Sequence, residues 1–122
     1  MQKLTITIEN LSDIENAHLV RFEGDFDGYA KENLVDIQKY VDESTPNAIL
    51  VFDFNKLNYL NSYAIGHLVA WHNHLARLGG KIIMVGTNKN VEDIFAILGI
   101  GALFKIYPDM DTAVKALKEE GK

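Results

Sequence analysis

An α/β fold on a mixed sheet is what three features of the chain predict. Residues 4–8 alternate apolar and polar, a second strand-like stretch follows within the reach of a hairpin, and beyond residue 30 helical spacing alternates with short runs of β-formers. Two strands followed by alternating helix and strand give an antiparallel hairpin and then right-handed parallel crossovers. At 122 residues and 48% hydrophobic composition, the chain is sized for one domain spanning 1–122 around one core.

Leu4, Ile6 and Ile8 alternate with Thr5, Thr7 and Glu9, the two-residue period of a half-buried strand. Residues 10–16 are polar enough for a hairpin connection, 17–22 read as the returning strand, and Gly24 is expected to stop it. Asp25-Phe26-Asp27-Gly28 then reads as a turn and helix start, with a carboxylate accepting from free backbone N–H groups. Such an aspartate pair also opens the haloacid-dehalogenase phosphatases, where the first Asp is nucleophile and the second acid/base. Those enzymes need Thr or Val two residues past the second Asp, where this chain has Tyr29, so no catalytic residue is assigned.

A surface helix over 30–43 would place Leu34, Ile37, Gln38 and Val41 on one face, and Pro46 follows its end. Ile49-Leu50-Val51-Phe52 is almost wholly apolar, as suits a central strand buried on both faces, with Asp53 expected to end it. A polar turn through Asn55, Lys56 and Asn58 would lead to Tyr59-Leu60. From there Ile65, Leu68, Val69, His72 and Leu75 recur at helical spacing until Gly79-Gly80. Ser62 is the expected N-cap, Tyr63 is expected exposed beside it, and Trp71 belongs to the buried flank.

Residues 81–86 read as another buried strand. Thr87 to Asn90 supply the turn and cap for a helix through Val91, Ile94, Phe95 and Leu98, stopped by Gly99 and Gly101. A short strand over 103–107 ends at Pro108, and Asp109 or Asp111 starts a terminal helix buried through Ala113, Val114 and Leu117.

Charge and composition exclude several functions. A net charge of -5 leaves no basic patch for phosphate backbones, so direct nucleic-acid binding is not expected. With no cysteine there is neither a disulfide framework nor a thiolate metal site. His72-Asn73-His74 spells HNH, but in HNH nucleases those residues are dispersed through a ββα metal fold. A helical zinc pair needs two His four apart on one face, whereas His67, His72 and His74 are separated by five, two and seven. No metal or cofactor is assigned. Met1 begins a strand-like segment and no apolar run approaches the ~20 residues that span a bilayer, so the expectation is a cytoplasmic protein without membrane insertion.

The stretch Asn61-Ser62-Tyr63-Ala64-Ile65-Gly66 resembles the signature of the STAS-domain proteins, and within them the bacterial anti-sigma factor antagonists. That signature is an apolar strand ending in Asp, a short turn, then Asp-Ser-Ser/Thr-Gly-Leu-Gly opening a helix. Ser62 falls on the serine that a partner kinase phosphorylates and Gly66 on the last glycine, while Asn61 replaces Asp, Tyr63 a small hydroxyl residue and Ala64 a glycine. Gly24-Asp25-Phe26-Asp27, Gly79-Gly80-Lys81 and residues 98–106 resemble further family segments, so the likeness runs over nearly the whole chain.

The resemblance implies the family's fold and a non-enzymatic binding protein whose partner is an anti-sigma factor/serine protein kinase. Phosphorylation of Ser62 would switch that complex. Asp25, Asp27, Asn61, Ser62, Tyr63, Ala64 and Gly66 form the implied partner surface, on a monomer or weak dimer. The alternative is a STAS scaffold without a phosphoswitch, binding another protein or a small ligand.

Overall fold

The computed structural model describes residues 3–120. Five strands form one sheet in chain order: β1 (Thr5–Asn10), β2 (Ala17–Phe26), β3 (Ile49–Leu60), β4 (Lys81–Val85) and β5 (Lys105–Tyr107). β1 runs antiparallel to β2, and the remaining neighbours pair in parallel. The expected mixed sheet with an N-terminal hairpin is therefore the architecture observed. The helices are α1 (Val35–Asp42), α2 (Ser62–Arg77), α3 (Lys89–Ile97) and α4 (Met110–Glu120), with 3-10 turns at Gly28–Leu34 and Gly101–Leu103.

The continuous apolar run in β3 has a simple cause. Leu50 and Phe52 point into the larger core, with Ile37 and Val41 of α1, Leu68 and Trp71 of α2, and Phe95 of α3. Val51 points the other way, joining Leu19, Ile83 and Val85 under Ala113 and Leu117 of α4. Alternate side chains serve two cores, so neither parity can be polar. Gly80 is held to glycine by packing: a Cβ there would lie 2.3 Å from the Ala48 carbonyl oxygen.

Two expected stops are absent. β2 continues past Gly24 to Phe26, and β3 continues past Asp53 to Leu60. The strands stay paired to Phe26↔Leu60, with register shifts between Arg21 and Glu23 and between Gly24 and Asp25, each adding one residue to β3. The polar residues that read as a turn thus lie along a bulged strand. Their turn-like character is real but local, since the Asp53 carboxylate accepts both the backbone N–H (2.9 Å) and side-chain amide (2.8 Å) of Asn55. Gly24 takes φ 104°, a left-handed value that suits the irregularity and favours glycine.

Smaller differences follow the same pattern. The helix expected over 30–43 is split into the 3-10 turn Gly28–Leu34 and α1, and β5 begins at Lys105 after a second 3-10 turn. Gln38 does face inward, accepting the Trp71 indole N–H at 2.8 Å and tying α1 to α2. Of the two candidate starts for α4, Asp109 is the cap: its carboxylate accepts the Thr112 N–H at 2.8 Å, which holds it below the usual carboxylate range.

Candidate functional site

Beyond Asp53↔Val85, β3 has lost β4 as a partner and pairs with β2 alone. This two-stranded ribbon ends with Asp25 opposite Tyr59 and Phe26 opposite Leu60. The loop through Asp27 and the loop through Asn61 and Ser62 therefore leave neighbouring strand ends, and both open helical segments.

Asn61, not Ser62, caps α2. Its backbone is extended (φ -130, ψ -170), and its side-chain oxygen accepts the N–H groups of Tyr63 at 3.0 Å and Ala64 at 3.4 Å. The helical ladder starts one residue earlier than expected, with Ile65 N–H donating to the Asn61 carbonyl at 3.1 Å. Asn caps as well as Ser does, so the residue whose carbonyl accepts the first helical bond takes the duty. Ser62 becomes the first helical residue. It is exposed, and its hydroxyl has no hydrogen-bond partner among the described residues.

The neighbours divide by burial. Tyr63, expected exposed, is half-buried: its ring meets His67, one turn along, edge-on at 4.7 Å between centroids. Ala64 is fully buried, so its methyl supports the loop from within instead of facing solvent. Gly66 is exposed, with nothing within 4 Å of a Cβ built there. On the adjacent loop Asp25 is half-buried, and Asp27 is the one buried charged residue among those described, its carboxylate accepting the Tyr29 N–H at 2.9 Å. The predicted capping role of the acidic pair thus falls to Asp27.

Three of the four histidines serve packing. His18 hydrogen-bonds the Tyr40 hydroxyl through Nδ1, with the rings 4.6 Å apart. His67 lies against Tyr63, Trp71 and Phe26, and His72 against Phe104. Burial lowers the imidazoles of His18 and His67 below the ordinary 6.5 and raises the Tyr40 hydroxyl above 10.0. Among the described residues, no three His, Asp or Glu side chains are placed to hold a metal ion. No helix there is long and apolar enough to cross a membrane.

The STAS domain family model matches residues 8–113, most of the chain. The chain belongs to the STAS-domain family. Solved structures agree in fold. An anti-sigma factor antagonist from Mycobacterium paratuberculosis superposes on this STAS domain with TM-score 0.78 at 23% identity, covering 95% of each chain. A putative anti-sigma factor antagonist from Thermotoga maritima gives 0.75 at 16%, covering 93% of this chain and 94% of the other. The Bacillus cell fate determinant SpoIIAA in its phosphorylated form gives 0.69 at 16%, covering 92% of this chain and 99% of the other.

One feature of this STAS domain escapes a sequence reading. Tyr63 and His67 face Lys31, Leu34, Val35 and Lys39 across a groove between α2 and the α1 segment. The four-residue spacing of Tyr63 and His67 on one helix face was the available signal.

Proposed function

We propose that this STAS domain is a regulatory binding protein of the anti-sigma factor antagonist type. It docks unphosphorylated on an anti-sigma factor with serine kinase activity, and phosphate on Ser62 breaks the complex. It has no turnover of its own. The observation that carries this reading is an exposed Ser62 at the first position of α2, with Asn61 satisfying the cap and leaving the hydroxyl available. A phosphate there adds about 1.5–2 negative charges on an exposed side chain at the positive end of the helix, so it is accommodated without unfolding. The effect is local: the same charge enters a docking surface and disfavours an acidic or apolar partner. Further support is the likeness in fold to SpoIIAA, a structure described in a phosphorylated form.

Asn61 in place of Asp removes one carboxylate from the vicinity, which eases phosphate there. Tyr63 supports the second reading, a scaffold without the switch, because a half-buried ring beside Ser62 narrows a kinase's approach. The deciding experiment is incubation of the purified protein with ATP and an active serine kinase of the anti-sigma factor type, followed by mass spectrometry. One phosphate at Ser62, absent from Ser62→Ala, is expected. Phosphate elsewhere, or none with an active kinase, leaves the scaffold reading in its place.

A further inference from the structure

The groove between α1 and α2 has a volume of about 460 Å³, within the size range of small-molecule sites. Its walls differ in chemistry. Leu34 and Val35 give an apolar side, with Val35 63% exposed, and the rings of Tyr63 and His67 form the opposite side. Lys31 lies in the 3-10 turn that precedes α1, and Asp42 and Glu43 lie at the far end of α1 with Lys39 one turn before them.

Hydrogen bonding within this region is uneven. Gln38 is satisfied, accepting the Trp71 indole N–H and donating to the Asp42 carboxylate at 3.0 Å. The Tyr63 hydroxyl and the His67 ring nitrogens have no hydrogen-bond partner among the described residues, and Lys31 and Lys39 have no ion pair there. Polar groups without protein partners thus line an open groove beside the exposed Val35, an arrangement able to orient a bound ligand.

We propose that the groove is a binding site for a small amphipathic carboxylic acid, its aromatic or aliphatic body between Val35 and Tyr63 and its carboxylate toward Lys31. Two lysines line the groove, but Lys39 lies within one turn of Asp42 and Glu43, whose charges offset it, so an anion is directed toward Lys31. Tyr63 and His67 supply hydrogen bonds to the same carboxylate or to a polar substituent beside it. The site is independent of the phosphoswitch, since it requires neither a kinase nor Ser62.

Trp71 is the only tryptophan in the chain, and its indole N–H binds a groove residue, so its fluorescence reports occupancy. The probes are 4-phenylbutyrate and its uncharged amide. Wild type should give a saturable change with the acid at a Kd of about 0.1–3 mM, the range for a ligand of this size. The amide should bind roughly three- to five-fold more weakly, the scale of one part-exposed ion pair. Lys31→Gln should remove the preference for the acid, and Val35→Asp should weaken both probes about tenfold or more by placing a charge in the apolar wall. Lys56→Gln, outside the groove, should change nothing. A melting temperature kept by each variant shows that the loss is local, as the exposure of Lys31 and Val35 favours. Absence of saturable binding, equal affinity for acid and amide, or full binding by Val35→Asp overturns the assignment.

Discussion

The two halves of β3 obey different rules. From Ile49 to Asp53 the strand pairs with both β2 and β4, and Leu50, Val51 and Phe52 are wholly buried. From Phe54 to Leu60 only the β2 ladder remains, register shifts interrupt it, and Asn55, Lys56, Asn58 and Tyr59 are exposed. The first half is buried on both faces, whereas the second still buries Phe54, Leu57 and Leu60 in the larger core and exposes its other residues on the ribbon that leads to Ser62. Asn61 and Ser62 at the ribbon's end lie outside that core, whereas Ala64 belongs to it.

Truncation should separate the two-sided core from the ribbon's exposed residues most sharply. Phe52 packs against Phe22, Phe54 and Trp71 with ring centroids 4.9, 6.2 and 6.0 Å away. Phe52→Ala should lower stability by about 3–5 kcal/mol in urea unfolding, and Tyr59→Ala, half-exposed on the ribbon, by about 0.5 kcal/mol or less. Comparable losses from the two would erase the distinction.

The next effect sharpens the ribbon's end. Asn61→Ala should cost about 0.5–2 kcal/mol because two backbone N–H groups lose their acceptor. Ser62→Ala should stay within about 0.5 kcal/mol. The reverse order in thermal melts would return the cap to Ser62.

A smaller effect comes from acid. His18 and His67 titrate below 6.5 when folded, so the unfolded chain binds protons first. Their contribution to stability is complete above about pH 6.5 and falls as pH drops through that value toward their lowered folded range. Between about pH 7.5 and 5.5 the wild-type melting temperature should decline, and His18→Gln/His67→Gln should flatten the decline. An unchanged slope in the double variant would show that these imidazoles are not what burial penalises.

The same contrast explains what a linear reading recovers. Residues 49–52 are legible because a strand buried on both faces excludes polar residues at either parity, and the helix that follows declares itself through Ile65, Leu68 and Leu75. The bulged half of β3 is not, because Asp53 and Asn55 bond each other as turn residues do while the pairing with β2 persists. The cap moved by one residue because Asn61 and Ser62 are both competent, and only the position of the first helical carbonyl decides between them. The α1–α2 groove had no local signal on its α1 side, since Lys31 and Val35 acquire meaning only when packing brings them opposite Tyr63 and His67.

The most direct test of the proposed switch is isothermal titration calorimetry of an anti-sigma factor that binds the wild-type protein against wild type, Ser62→Ala and Ser62→Asp. Ser62→Ala should bind within about twofold of wild type, since the hydroxyl makes no bond that the fold needs. Ser62→Asp should bind about tenfold more weakly or worse, because it carries charge into the interface while its place at the helix start keeps the domain folded. A folded Ser62→Asp that binds as tightly as wild type would contradict the switch.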